Sequence, residues 1–250
     1  LLSSSTMKLL ICVGLLAFCA IASASLCNIH DAEFDDCVKK ALQDNIVKLS
    51  KEGIKDIGLP RLDPFYVPET HMVYKNGEMD VQSITRNSYT HGIRNVKIFA
   101  FRSKLDDRDD MRMEIDFMLP KVLVEGTYKT DGKIADLKIS GRGVYNISMT
   151  NVSGTAKVEA HMIEKDGEEY LRIHKIGLRP EVGTMKVYAS NLVDGNPELS
   201  SIALTFINQF WRMFYDQMLP YAEEGFDKVL RSTVNQYTMK VPFNQIFDTQ

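Results

Sequence analysis

Apolar and polar residues alternate with a period of two from about Met72 to Ala189, and on either side of that block apolar residues recur at three and four. Met111, Met113, Ile115, Phe117 and Leu119 alternate with Arg112, Glu114 and Asp116, the mark of a strand with one buried face. Past Pro120 the apolar positions become even: Val122, Val124, Gly126 and Tyr128. A second reversal follows. Leu137, Ile139, Gly141, Gly143, Tyr145, Ile147 and Met149 are odd, whereas Val152, Gly154, Ala156, Val158, Ala160 and Met162 are even. Strand side chains alternate strictly between faces, so each reversal calls for a bulge or a sharp bend. Asn76-Gly77, Asp131-Gly132 and Asp166-Gly167 are the dipeptides of two-residue hairpins. The block therefore predicts an antiparallel meander of long, bent strands.

The flanks predict helices. Phe34, Val38, Ala41, Leu42, Ile46 and Leu49 form an amphipathic stripe that Gly53 is placed to end. Pro60, Pro64 and Pro68 then exclude a helix or a central strand and suggest a connector. After Asp194-Gly195, Asn196 is a candidate cap and Pro197 suits the first helical position. On a helical wheel Ser201, Thr205, Asn208, Gln209, Arg212 and Asp216 gather on an arc of about 100°, and apolar residues fill about 220°, far wider than an ordinary surface stripe. Four of those polar residues between 208 and 216 exclude a membrane span. A flat sheet covers only part of such an arc, so the pattern calls for a strongly curved sheet around the helix. Pro220 cannot donate to the carbonyl of Asp216, which predicts a kink. Beyond it, Phe226, Val229, Leu230, Val234 and Tyr237 make a narrower stripe expected at the surface.

Composition changes this picture little: 250 residues, 44% apolar and 25% charged, are ordinary for a globular chain. The formal net charge of −3, with no basic stripe, speaks against nucleic acid and against electrostatic docking to membranes. The amino end matters more. Met7-Lys8, an apolar run from Leu9 to Ala22 and the pattern Ala22-Ser23-Ala24 read as a secretory signal cut before Ser25. The expected organisation is leader and signal over 1–24 and one domain over 25–250. Cys12 and Cys19 leave with the signal, so Cys27 and Cys37 are expected to pair in an oxidising compartment.

Signs of catalysis are missing. There is no G-x-S-x-G elbow, no glycine-rich phosphate loop and no His pair at metal-ligand spacing among His30, His71, His91, His161 and His174. Residues 105–110, "LDDRDD", lack the glycine and closing glutamate of a calcium loop and read as a hairpin tip. The expectation is a protein that is not an enzyme and holds neither cofactor nor metal. Asn146-Ile147-Ser148 and Asn151-Val152-Ser153 are N-glycosylation sequons. The parity rule turns Asn146 outward, and a bulge could turn Asn151 outward too.

Five stretches in order carry a resemblance: the pair Cys27 and Cys37, "LPRLDPF" at 59–65, "FMLPKVLVEGTYKTDGKI" at 117–134, "GRGVYNISMTNVSG" at 141–154 and "VPFNQIF" at 241–247. Together they resemble the insect takeout and juvenile-hormone-binding protein family across the whole mature chain. The resemblance implies an α+β fold, in which a highly curved antiparallel sheet wraps a long carboxyl-terminal helix and encloses a hydrophobic tunnel. It also implies a secreted carrier of a long hydrophobic molecule such as a terpenoid hormone, fatty acid or related lipid, without stable membrane insertion. Lepidopteran hormone carriers of the haemolymph have a second disulfide that this mature chain cannot form, which places it nearer the takeout branch. Candidate tunnel residues are Ile115, Phe117, Tyr145, Ile147, Met149, Phe206, Phe210, Trp211, Met213 and Phe214, with Tyr145 as a polar handle. The rival reading is an extracellular interaction module with a filled interior. No motif identifies a receptor.

Overall fold

The computed structural model describes residues 27–53, 61–76, 79–134 and 137–250; the expected signal, 7–24, lies outside them. The alternating block forms one seven-stranded antiparallel sheet. Its strands are β1 (Phe65–Asn76), β2 (Met79–His91), β3 (Lys97–Lys104), β4 (Met111–Ile134), β5 (Leu137–Lys165), β6 (Glu168–Leu178) and β7 (Glu181–Ala189). β4 and β5, 24 and 29 residues long, make the spine and stay in one register from Met111↔Ala160 to Ile134↔Leu137. β3 pairs with the first part of β4 and β2 with the second. On the far side of β5, β7 pairs with the first part and β6 with the second, while β1 lies outside β2.

The two parity reversals fall opposite one another. Leu119 pairs Val152 and Lys121 pairs Thr150, so Pro120 faces Asn151, whose φ is 50°. With the register unbroken, no residue is inserted: both strands turn over together, a bend rather than a bulge. The outer strands break along the same line. A 3-10 turn at Ile93–Asn95 separates β2 from β3, and Arg179-Pro180 separates β6 from β7. Gly92 opens that turn at φ 104°, and a Cβ there would stand 2.2 Å from the carbonyl oxygen of Lys121. The sheet is thus creased across its width, with Val122, Val152 and Val182 buried beneath the crease. True bulges lie elsewhere, between Arg86 and Tyr89, Ile98 and Ala100, and Glu159 and Ala160.

One of the three turn expectations changes, and that at Asn76-Gly77 falls on Gly77, outside the described residues. Asp131-Gly132 is no hairpin tip: both residues lie inside β4, where Gly132 pairs with Val81 on one side and Ile139 on the other. Gly132 instead serves a close approach of β2, where a Cβ would stand 2.1 Å from the Asp80 carbonyl oxygen, and Asp131 accepts from the Ser140 hydroxyl across the strands, which a turn dipeptide alone does not reveal. Asp166-Gly167 does form the turn between β5 and β6, with φ values of 55° and 79°. The proline-rich connector is also shorter than expected, since β1 begins at Phe65 and includes Pro68. β1 pairs only with β2, and an edge strand tolerates a residue without an amide proton.

Helix α1 (Phe34–Glu52) ends before Gly53 and lies against β3. The disulfide Cys27–Cys37 ties its first turn to the preceding chain. The carboxyl-terminal helix is interrupted ahead of Pro220, at a place the sequence does not mark. α2 (Pro197–Gln209), capped by the Asn196 side chain accepting from the Leu199 amide, stops at Phe210 (φ −110°, ψ 23°). α3 (Trp211–Thr238) then runs unbroken through Pro220. Pro220 and Asp216 both lie on the exposed side, so water can satisfy the carbonyl the proline leaves free. A short α4 (Phe243–Ile246) follows.

Helix side chains close the free strand edges. The Asn208 carboxamide accepts from the Val187 amide and donates to the Val187 carbonyl, both at 2.8 Å. Asn235 does the same to Ile173 at 3.0 and 2.8 Å, and Asp227 accepts from the Ile176 amide. Tyr215 donates to the Pro180 carbonyl and Arg212 to that of Gly183. On the opposite side Gln43 of α1 spans the Ile98 amide and the Val96 carbonyl. Hence part of the polar arc read from sequence docks on the sheet: Asn208 and Arg212 reach β7, while Ser201, Thr205, Gln209 and Asp216 stay exposed. The last segment of α3, expected at the surface, is held along β6 by Asp227 and Asn235.

Candidate functional site: the apolar face of the helix pair

With Asn208 and Arg212 reaching β7, the wide apolar arc of α2 and α3 turns to the other sides of the helix pair. Part of it is buried. Phe214 packs against Tyr74 of β1, which donates to Gln217 at 3.1 Å and stacks edge-on with Tyr221. Trp211 and Tyr215 reach the crease, against Met149 and Met185. Ile207 touches both Tyr74 and the cluster of Tyr128, Ile139, Leu192 and Ala203. β1 therefore meets one flank of the helix pair and β7 the other, as a curled sheet requires.

The rest of the arc is open. Leu199, Ile202, Phe206, Phe210 and Met213 follow one another at helical spacing and are 37–55% accessible. The Phe206 ring contacts those of Phe210 and Phe214 at centroid distances of 4.9 and 5.8 Å. Tyr221 and Phe226 continue the accessible surface along α3. An uncovered apolar row of this length is the kind of feature that marks a binding site.

The ten residues chosen from sequence spread along the molecule. Phe206, Phe210 and Met213 lie on the open row, whereas Phe214 is buried beside it. Trp211 and Met149 share the crease cluster, and Ile147 sits between Val124 and Val187. Ile115 packs at the other end, in the cluster that holds Phe34, Phe101 and Phe243. Phe117 lines an open cleft of about 560 Å³ with Phe99, Gly154, Thr155, Lys157 and Arg179. Tyr145 is less free than a polar handle would be, since its hydroxyl is 2.8 Å from the Ser88 hydroxyl and its ring meets Tyr128 edge-on. Sequence reasoning missed Tyr74, Ser88, Met185 and Tyr215. Tyr74 falls within the alternating block, but alternation alone does not show which strand meets the helix pair.

The Arg212 guanidinium lies over the Trp211 ring, 4.6 Å from its centroid. Burial pushes the Tyr128 phenol up to about 12, and the phenols of Tyr215 and Tyr237 are also raised, chiefly by burial. Among the described residues no group of three or more His, Cys, Asp or Glu is placed to hold a metal, and no helix is long and apolar enough to cross a membrane. The chemistry on offer is apolar contact with a few hydroxyl hydrogen bonds.

Residues 9–248 match the family model described as haemolymph juvenile hormone binding protein (JHBP). Among solved structures the chain is similar to takeout 1 of Epiphyas postvittana, at 23% identity and a TM-score of 0.75, over 90% of this chain and 99% of that one. That likeness establishes the fold: a highly curled antiparallel sheet with a long carboxyl-terminal helix. Lipopolysaccharide binding protein matches at 13% identity over 77% of this chain and 38% of that one, with a TM-score of 0.32 too low to carry an argument. No curated protein matches the chain in sequence.

Proposed function

Since the chain belongs to the haemolymph juvenile hormone binding protein family, we propose that it is a secreted carrier. It takes up a long hydrophobic molecule, such as a terpenoid, a fatty acid or a related lipid, in a tunnel between the curled sheet and the helix pair. The observation that carries this reading is the accessible row Leu199, Ile202, Phe206, Phe210 and Met213. Such a row on a dissolved protein needs an apolar cover, and a lipid chain alongside it supplies one. Ile147, Met149 and Trp211 extend the lining toward the crease, and the Tyr145–Ser88 hydroxyl pair can offer one hydrogen bond to a ligand oxygen.

A ligand of about fifteen carbons gains roughly 12 kcal/mol from burial at about 0.8 kcal/mol per carbon. Association costs of about 4 kcal/mol or more leave about 8 at best, which corresponds to micromolar binding. The protein acts by holding and releasing its cargo, with no bond made or broken. Native mass spectrometry of the purified, deglycosylated protein, followed by organic extraction, is the direct test. A stoichiometric hydrophobic adduct is expected. A clean apo mass together with failure to take up fluorescent fatty probes would overturn the carrier reading.

A further inference from the structure

We propose that Asn146 carries an N-linked glycan whose first sugar lies on the ring of Tyr188. Asn146 stands inside the 29-residue β5, paired with Glu125 on one side and Tyr188 on the other. Asparagine is depleted in strands and is usually kept where it caps a turn or adopts a positive φ. Asn146 does neither, and its carboxamide makes no hydrogen bond with the described residues. The second sequon differs. Asn151 has φ 50° at the crease, a conformation asparagine tolerates, so the backbone already accounts for it.

The neighbours of Asn146 are equally unusual. Tyr188, directly across on β7, is 47% accessible, and Val144, two residues back on the same face, is 52% accessible. Glu125, Lys129, Lys186 and Thr184 surround them on that outer face, and the same cross-strand row ends beyond Glu125 in Tyr89 and Tyr66, whose rings pack on each other at 5.1 Å. An unbonded amide between an uncovered tyrosine and an uncovered valine is explained if a group attached to the amide covers both. A pyranose ring presents a face of C–H bonds that packs on the negative face of an aromatic ring. Directly opposed residues have Cβ atoms about 4.5–5.5 Å apart, so the first sugar on Asn146 reaches the Tyr188 ring.

The inference rests on the exported state proposed above. Transfer comes from a lipid-linked oligosaccharide diphosphate while the chain is unfolded. The amide nitrogen bonds to the anomeric carbon, the bond from that carbon to the diphosphate oxygen breaks, the diphosphate leaves with the electron pair, and the amide proton is released. The fold then only has to accommodate the product, and the outer face at Asn146 does so.

The full chain expressed in secreting insect cells, with glycopeptides of the medium protein mapped by mass spectrometry, tests the attachment. Occupancy at Asn146 is expected. Secreted protein with Asn146 bare, or with sugar on Asn151 alone, overturns the proposal and leaves the carrier reading standing; absence from the medium overturns both. The ring contact is tested by melting. Wild type should melt about 2–4 °C above Ser148→Ala, which lacks the sequon but keeps Asn146. Trimming the glycan to its first sugar should preserve that gap. Tyr188→Ala should remain glycosylated yet show no gap against Tyr188→Ala/Ser148→Ala. An unchanged gap in the Tyr188→Ala pair would overturn the stacking.

Discussion

Asn208 and Asn235 each meet both the amide and the carbonyl of one edge residue, Val187 and Ile173. Replacing either with alanine leaves two backbone groups poorly satisfied, each worth about 1–3 kcal/mol when buried. Urea unfolding of Asn208→Ala or Asn235→Ala should show a midpoint lowered by about 2 kcal/mol of stability with an unchanged slope. Asn208→Asp keeps the acceptor and loses the donor, so it should fall between wild type and alanine. The outer face supplies a pH test. The Arg102 guanidinium, bonded to both oxygens of Asp116 at 2.6 and 2.9 Å, and the Thr155 hydroxyl lower the Asp116 carboxyl to about 2. A carboxylate depressed in the folded state contributes stability above its unfolded value and loses it as the pH falls through the folded one. Acid unfolding followed by circular dichroism should therefore show a loss between about pH 4 and pH 2 that Asp116→Asn lacks. The sequence announced neither set of contacts. In sequence, a polar residue that docks on a strand edge and one that faces water look alike, so the polar arc did not distinguish Asn208 and Arg212 from exposed Gln209 and Asp216.

Elements were more legible where the backbone itself is constrained. The switch from odd to even apolar positions at Pro120, and again between Met149 and Val152, located the crease from residue parity alone. Its alignment across all the strands was not visible, because it depends on the register that sets Pro120 opposite Asn151. Gly92 belongs to the same line, and its substitution tests how rigid the line is. A Cβ 2.2 Å from the Lys121 carbonyl oxygen has only backbone to push against. Gly92→Ala should cost about 1–3 kcal/mol, from that contact and from a φ disfavoured for alanine, read as a lower thermal midpoint. The helix is interrupted at Phe210, ten residues before Pro220, and no proline or glycine marks that place in the sequence.

At the scale of the molecule, the sheet, the helix pair and α1 make one body whose ends meet. The Ile29 amide donates to the Asp248 carbonyl and the Asp248 amide to that of Cys27, while Phe247 packs its ring on Phe34 and Phe243. The open row on α2 and α3 is where carriage can be separated from stability. Phe206 and Met213 are 42% and 44% accessible, so Phe206→Gln or Met213→Gln should lower stability by about 1 kcal/mol or less. Each should weaken uptake of a fluorescent fatty probe about tenfold, measured by titration. Equal affinity in both variants would place the cargo elsewhere. That this helix needs a cover on more than one side was legible from its 220° of apolar arc, whereas the division of that arc between buried Phe214 and open Phe206 depended on where β1 delivers Tyr74.

The satisfied rims of the sheet have one more consequence. A bare strand is a template on which a neighbouring molecule can add in register, and growth from such a template ends in fibres. Here helices occupy those positions within the same molecule, and Pro68 interrupts the β1 rim. Growth from the covered edges is thereby blocked, and variants that strip Asn208 and Asn235 together should lose that colloidal protection before they lose the fold.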